Sequence, residues 1–438
     1  MIDNKNIFLK KKILIYGLGK SGISSYKFLK NKSKVYLFDD DPKKKLRHQP
    51  KQWIRNIKKI SQITFDIIII SPGIDILNCK LSKFLKKNKS KIYTDLDIFY
   101  SFYKNKSITI TGTNGKSTTA KILYDILLDQ NYDCRLIGNI GNPALSEKKI
   151  TKKTVFVIET SSYQLDYSQL FTSKYSVILN ISPDHIERHR NLKNYINAKF
   201  KLLNSQSRES IAFVKKNDLL INKKLNSKKY NPKIIRVDLK KAKKIIKQLK
   251  NKYFLSAGNL ENLSFVLMIS ETLKLNSKKL IKTLNRFKGL KYRQQIIYEN
   301  KNLTIINDSK STSFASSENL LKNLKNAYWI LGGIPKKGDR LNLSKKHYKN
   351  FKTFIFGNNY KEFKKNIKNK INIKHFKYLK DILNEIFFDL KDKNFKKNII
   401  FFSPAGASFD SFKNFEDRGK YFNQLIKKFL NAKQHLFI

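Results

Sequence analysis

Cysteine, methionine and tryptophan are scarce in this chain, two of each in 438 residues. Two cysteines, Cys79 and Cys134, cannot build a disulfide framework, so a reducing, cytoplasmic setting is expected. Proline is sparse too, and no Pro/Gly-rich stretch marks a linker. Long apolar runs are missing: FDIIIISPG (65–73) has the length of a strand and falls far short of a membrane span. The opening MIDNKNIFLKKK is polar and does not resemble a signal peptide. Acidic residues number 33 against 91 Lys and Arg, a formal net charge of +58.

That charge invites a nucleic-acid or anionic-membrane partner. Its distribution argues otherwise. Lysines occur in nearly every block of ten rather than in one stripe, and Asn, Ile, Phe and Tyr, all with AT-rich codons, are abundant beside them. Neither a specific nucleic-acid partner nor membrane insertion is expected. KKAKKIIKQLKNKY (240–253) reads as a solvated helix with an Ile/Leu face.

A hydrophobic content of 40% suffices to bury cores, and 438 residues exceed what one core serves. Strand-like runs alternate with helical patterns, which predicts an α/β fold with mainly parallel sheets. Strands are expected at 13–16, 35–38, 66–70, 107–111, 154–158 and 176–180, then at 211–214, 303–306, 328–331, 353–356 and 398–402. Restarting motifs place domain boundaries near 92–95 and 289–292, giving domains 1–93, 94–290 and 291–438. Glycine-bearing or polar motifs follow eight of these strands: GLGKSG, SPG, TGTNGKST, ETSS, NISPDH, NDSKST, LGG and SPAGAS. Open α/β sheets bind ligands at the carboxyl ends of their strands, so sites belong there.

LIYGLGKSG (14–22) has the Gly17-x-Gly19-x-x-Gly22 spacing of a dinucleotide loop, with Asp39 twenty residues after Gly19. Taken alone this leaves NAD and other diphosphate ligands open. ITGTNGKST sets Gly112-x-x-Gly115-Lys116-Ser117 between a strand and a helix. Backbone amides there can cradle phosphates, Lys116 can neutralise β/γ oxygens, and Ser117 can ligate Mg²⁺. The spacing is not that of a standard Walker loop, since Ile110 stands five before Gly115. Glu159 and His185, each at the end of a strand-derived motif, add a carboxylate and an imidazole for a divalent ion beside a phosphate.

TGTNGKST, GNIGNPAL (138–145), ETSSYQL (159–165), NISPDHIERH (180–189) and YINAKFKLL (195–203) resemble the central domain of the Mur ligases. IINDSKSTS (305–313), LGGIPKKGD (331–339) and SPAGASFDSFKNFEDRG (403–419) are similar to the branch of that family that adds D-glutamate. The resemblance implies three domains: an N-terminal Rossmann-like one, a central P-loop ATPase-like one and a C-terminal Rossmann-like one. It also implies an ATP-dependent ligase acting on UDP-N-acetylmuramoyl-L-alanine and D-glutamate, as a monomer.

On that resemblance the N-terminal glycines hold UDP, with Lys20, Ser21, Asp39, Ser71, Pro72 and Gly73 at matching positions, joined by Asn139 and Ser161. ATP falls to Gly112, Thr113, Asn114, Gly115, Lys116, Ser117 and Thr118, then Asn262, Arg293, Asp308 and Lys310. Mg²⁺, two ions by the family pattern, falls to Ser117, Glu159, His185 and Lys199, the last as a CO₂-derived carbamate. Lys116, His185 and Lys199 are the catalytic candidates. An ordinary lysine offers only about 0.04% neutral amine at pH 7, so a depressed pKa is expected at Lys199. D-glutamate falls to Thr312, Lys336, Ser408 and Phe415. Two departures bear on the adenine side: the family's His-Asn-x-x-Asn is Gly258-Asn259-Leu260-Glu261-Asn262, and its junction His-Arg is Tyr292-Arg293.

Overall fold

The structure is a computed structural model that describes residues 6–42, 52–322, 324, 326–336, 338–348, 350–367, 372–390 and 398–432. Contacts divide the chain into two compact units, Met1–Phe287 and Lys288–Ile438.

The first unit holds two all-parallel sheets. Strands β1 (Lys12–Tyr16), β2 (Lys34–Phe38), β3 (Ile67–Ile70) and β4 (Ile92–Tyr93) lie in the order β2-β1-β3-β4. Strands β5 (Ser107–Thr111), β6 (Cys134–Gly138), β7 (Val155–Glu159), β8 (Tyr175–Ile178), β9 (Ile211–Lys215) and β10 (Lys233–Val237) lie in the order β10-β9-β8-β5-β7-β6. Runs such as the four isoleucines of β3 are buried on both faces, as interior parallel strands must be. Alternation sorts them: Ile67 and Ile69 join Ile13 and Ile15 in one core, while Ile68 and Ile70 join Leu14 and Tyr16 in another. The former core also contains Phe156, Ile158 and Val214 of the second sheet, which makes one body of the two sheets.

Helix Asp95–Phe102 packs into that shared core through Leu96, Ile98 and Phe99. Its first turn is built from acids. Asp97 closes a capping box on Thr94 and also accepts the Ser168 hydroxyl at 2.7 Å and the Leu170 amide at 2.7 Å. Asp95 is less well served: its Oδ1 is buried without a hydrogen-bond partner. Burial lifts its carboxyl from 3.8 to about 6, opposed by a hydrogen bond with Ser21. Between pH 4 and 6 the unfolded chain loses a proton that the folded chain keeps, so stability falls as pH rises through that window. Asp95→Asn therefore raises the unfolding midpoint at pH 7.5 and flattens its pH dependence, by up to about 3 kcal/mol. Urea unfolding at pH 4.5 and 7.5 measures this, and an Asn variant less stable than the parent at pH 7.5 refutes it.

The second unit carries one mixed sheet. Strands β11 (Gln295–Glu299), β12 (Leu303–Asn307), β13 (Ala327–Gly332), β14 (Phe351–Phe356), β15 (Ile373–Phe376) and β16 (Asn398–Phe402) lie in the order β11-β12-β16-β13-β14-β15. Only β11 among them runs antiparallel to its neighbour. Two cores cover its faces, one around Tyr328, Phe356 and Phe402, the other around Trp329, Leu331 and Phe401.

The expectation of a helix across 240–253 is corrected. The α-helix covers only Lys240–Ile245, a 3₁₀ turn follows at Ile246–Gln248, and another stands at Lys252–Leu255. Half of that stretch is lysine, whose mutual repulsion disfavours a continuous helix. Asn251 then stops it: its side chain accepts the Tyr253 amide and donates to the carbonyls of Leu284 and Phe287. No helix among the described residues is long and apolar enough to cross a membrane.

Candidate active site

All eight motif loops leave the carboxyl ends of strands, β1, β3, β5, β7, β8, β12, β13 and β16. Because neighbours run parallel, the loops of each sheet emerge on one side.

After β1 the glycine loop turns through Gly17 at φ +91°. A Cβ on Gly22 would stand 1.9 Å from the Gly17 carbonyl oxygen, so only glycine lets the helix Lys20–Leu29 start this close. Ser71 at the end of β3 donates to that same carbonyl at 2.6 Å. Pro72 is half-buried, and Gly73 and Lys20 are exposed at the rim. Asp39 accepts the Leu18 amide at 2.5 Å through one oxygen and the Asp41 amide at 2.9 Å through the other. In this structure the acid locks the glycine loop, where an NAD-type loop would offer it to a ribose.

The loop after β5 leads into helix Lys116–Asp129, with Gly115 at φ +85° as its cap. A Cβ there would meet Asn262 Oδ1 at 2.1 Å, which sets Asn262 of helix Ala257–Thr272 directly against the loop. Asn114 and Thr113 are held by Asn180: the Asn114 amide donates to its Oδ1 at 2.8 Å and the Thr113 amide to its carbonyl at 2.9 Å. Ser117 and Thr118 are buried in the first helical turn.

Two lysines meet on one oxygen. Lys116 Nζ donates to the Gly112 carbonyl at 2.9 Å and to that of Thr113 at 2.8 Å. Lys199, on helix Leu192–Asn204, donates to the same Gly112 carbonyl at 2.8 Å. Lys199 is 1% exposed, with Nζ 4.6 Å from the Tyr195 ring centroid. Burial first, and the Lys116 charge second, hold its amine well below the ordinary lysine value; Asp184 and Glu159 oppose them. Sequence alone could not distinguish this lysine from its many neighbours.

Glu159 closes β7 with its carboxylate buried. Oε1 accepts Asn139 Nδ2 at 2.9 Å, and Oε2 has no hydrogen-bond partner. His185 stands in left-handed backbone at φ +54°, where it caps helix Ile186–His189. Its Nδ1 lies 2.9 Å from the Tyr163 hydroxyl and its Nε2 3.4 Å from Asp184. Ser161 spends its hydroxyl capping helix Ser162–Tyr167. Among the described residues no three His, Cys, Asp or Glu side chains converge as a ready metal cage. The orphaned, buried Glu159 oxygen is nonetheless the kind of hard anionic donor that suits a hard cation.

In the second unit, Asp308 follows β12 with its carboxylate buried, accepting the Gln294 amide at 3.1 Å and the Ser403 hydroxyl at 3.2 Å. Burial pushes that carboxyl up to about 7. Lys310 Nζ lies 4.0 Å from the Phe415 ring centroid, so residues expected at ATP and at D-glutamate meet there. Thr312 and Lys336 are half-buried, Ser408 is buried, and Phe415 opens helix Phe415–Ala432. Arg293 is half-buried beside Tyr292, whose ring packs on Gly419.

One residue the sequence reading passed over ties these loops together. Arg418 is fully buried and donates to the Ser309 hydroxyl and carbonyl at 3.1 and 2.7 Å, and to the Gly406 carbonyl at 2.9 Å. Burial lowers it to about 10. No local signal announced it: FEDRG opens an amphipathic helix whose later turns bury Phe422, Leu425 and Ile426, and an arginine in its first turns reads as solvated.

Comparisons with known proteins match the chain over most of its length. Residues 11–92 match the family model for the Mur ligase MurD-like N-terminal domain, and 110–280 that for the Mur ligase middle domain. The chain is 34% identical to UDP-N-acetylmuramoylalanine–D-glutamate ligase of Rickettsia prowazekii, over 97% of this chain and 99% of that protein. It is 33% identical to the enzyme of the same name from Buchnera aphidicola, over 96% and 99%. Among solved structures, UDP-N-acetylmuramate–alanine ligase of Thermotoga maritima shares the fold with a TM-score of 0.56 at 15% identity, covering 97% of this chain and all of that one. The MurF ligase of the same organism, in complex with ADP, does so at 0.54 and 12%, covering 97% and 99%.

Proposed function

This chain belongs to the Mur ligase family, and on that footing we propose that it is the ATP-dependent ligase that joins D-glutamate to UDP-N-acetylmuramoyl-L-alanine in peptidoglycan synthesis. The family takes its energy from ATP. The observation that carries the reaction type is the pair of lysines on the Gly112 carbonyl beside the unpartnered Glu159 oxygen. Cations and an anionic ligand are gathered where a polyphosphate would enter.

The proposed architecture is three domains, 1–93 for UDP, 94–290 for ATP and 291–438 for the amino acid, working as a cytoplasmic monomer. Lys20, Ser21, Asp39, Ser71, Pro72, Gly73, Asn139 and Ser161 would receive the sugar nucleotide. Asp39 would do so indirectly, by holding the Leu18 amide in place. Gly112 to Thr118, Asn262, Arg293, Asp308 and Lys310 would receive ATP, and Thr312, Lys336, Ser408 and Phe415 the D-glutamate.

Ser117, Glu159, His185 and a carbamylated Lys199 would hold Mg²⁺, two ions in all. When bound, the metal supplies positive charge against the phosphates. With His185 as a ligand, a proton held on its Nδ1 would be donated to the Tyr163 oxygen and would fix the ring.

The L-alanyl carboxylate attacks the γ-phosphate, giving an acyl phosphate and ADP. The D-glutamate amine then attacks the acyl carbon, and phosphate leaves the tetrahedral adduct. Bringing a carboxylate to a polyphosphate is like-charge chemistry, so positioning and cations matter more than a strong base. Lys116 serves the phosphates. The amides at the start of helix Lys116–Asp129 add the positive end of its dipole. A dicarboxylic amino acid needs matched donors, which a neutral side chain would leave unpaired.

Phosphate release from ATP, with UDP-N-acetylmuramoyl-L-alanine, Mg²⁺ and bicarbonate, tests the assignment. Release is expected with D-glutamate and not with L-glutamate, glycine or L-alanine. Release with a different amino acid alone moves the chain to a sibling ligase, and release with none overturns the reading.

A further inference from the structure

Arg188 has been given no part so far, yet it stands between two of the loops just described. It lies on helix Ile186–His189, three residues past His185, and its side chain is 11% exposed. Nη2 donates to the Ile74 carbonyl at 2.9 Å and to the Tyr167 hydroxyl at 2.6 Å. Nη1 faces Asp75 at 3.6 Å and Asp166 at 3.9 Å. The Tyr163 and Tyr167 rings flank the guanidinium, their centroids 5.4 and 5.0 Å away.

Each contact leads to a site. Ile74 and Asp75 continue the Ser71-Pro72-Gly73 turn, and Ser71 is bonded to the Gly17 carbonyl of the glycine loop. Arg190, just past the end of that helix, grips Asp75 at 2.7 Å. In the other direction, Tyr163 is bonded to His185 Nδ1 at 2.9 Å. One planar fork thus joins the loop proposed for UDP to the histidine proposed for the metal beside ATP.

We infer that Arg188 is a positioning residue that couples occupancy of the sugar-nucleotide site to occupancy of the ATP site. The inference rests on the ligand assignments of the preceding section. A rigid fork with acceptors on two elements makes a shift of one element costly unless the other follows. A lysine in its place would keep the charge and lose the fork. The network also has a donor to spare: Arg188 Nε is buried without a partner. A buried unpaired donor is costly, and an arrangement that satisfied it, reached as the diphosphate draws the glycine loop inward, would be favoured. A brace that only held the fold together would give stability without any linkage between the ligands.

Linkage is therefore what the experiment measures. The dissociation constant of a non-hydrolysable ATP analogue with Mg²⁺ is determined with and without saturating UDP-N-acetylmuramoyl-L-alanine, and the reverse titration is run. In the wild-type chain each ligand should tighten the other by the same factor, about fivefold or more. In Arg188→Gln that factor should drop below about twofold in both directions, and Arg188→Lys should fall between. Should the Gln variant not fold, Tyr167→Phe, which removes one acceptor of the fork and keeps the arginine, should reduce the factor. A wild-type chain without linkage overturns the inference, as does a folded Arg188→Gln with full linkage. Failure of the wild-type chain to bind the sugar nucleotide at all would overturn the proposed function itself, and is seen with the single ligand before any variant is made.

Discussion

Lys116→Ala lowers the rate of D-glutamate-dependent phosphate release by about three orders of magnitude, with little change in the unfolding midpoint. Lys116 donates to the carbonyls of Gly112 and Thr113, neutral acceptors that a polyphosphate oxygen would exchange for a charge-assisted bond. The fold does not need these two bonds; the reaction needs the charge they keep in place. Because that charge acts most strongly as the γ-phosphate is transferred, kcat and kcat/KM should fall together rather than KM rising alone. Steady-state kinetics with ATP varied separates the two, and a variant within about tenfold of the parent excludes Lys116 from the transfer step. The same substitution should also alter its neighbour. Lys199 loses the repulsion of a second ammonium on the Gly112 oxygen, so its amine should become more basic.

Lys199→Ala should cost about a hundredfold to a thousandfold, and the wild-type chain should slow in CO₂-depleted buffer and recover with bicarbonate. The amine must be neutral to take up CO₂, and burial together with Lys116 favours the neutral form. The sign follows: lowering the pH protonates the amine and should weaken the bicarbonate effect, and raising it should strengthen it. Isotopically labelled bicarbonate gives a direct reading by NMR. A carbamate carbon should be visible in the wild-type chain and absent from Lys199→Ala. Indifference to CO₂ together with no carbamate signal would leave Lys199 an unmodified buried amine, and the metal would then lack one proposed ligand.

The central strands were plain in the sequence, and of the edges only β2 was. Strands β4, β6, β10, β11 and β15 were not expected, and every one of them lies at the edge of its sheet. An interior parallel strand is buried on both faces and can read as an unbroken apolar run, as β3 does. An edge strand has one neighbour and tolerates charge, as KIIRV and IKHF show. The same physics governs the loops. Gly115 and Gly22 are legible because a backbone requirement leaves one residue type possible. Lys199, Arg188 and Arg418 are not, because nothing local sets a buried lysine or arginine apart from dozens of solvated ones. Their burial is decided by strands and helices far away in the chain. Asp39 shows a subtler limit: its spacing marked it as a nucleotide acid, and only its hydrogen bonds to the Leu18 and Asp41 amides show it bracing the loop.

With the D-glutamate site as proposed, Arg418 has a consequence for changing which amino acid this chain accepts. Its guanidinium is fastened to the loop after β12 through Ser309 and to the loop after β16 through Gly406. A single loop grafted from a relative with another preference would arrive without the partner positions that this cation requires. It would strand a buried charge, and the transplant would fail for reasons unrelated to the new side chains it brought. Retargeting has to move both loops and the start of the last helix as a single cassette, or first find a neutral substitute for the arginine at its centre.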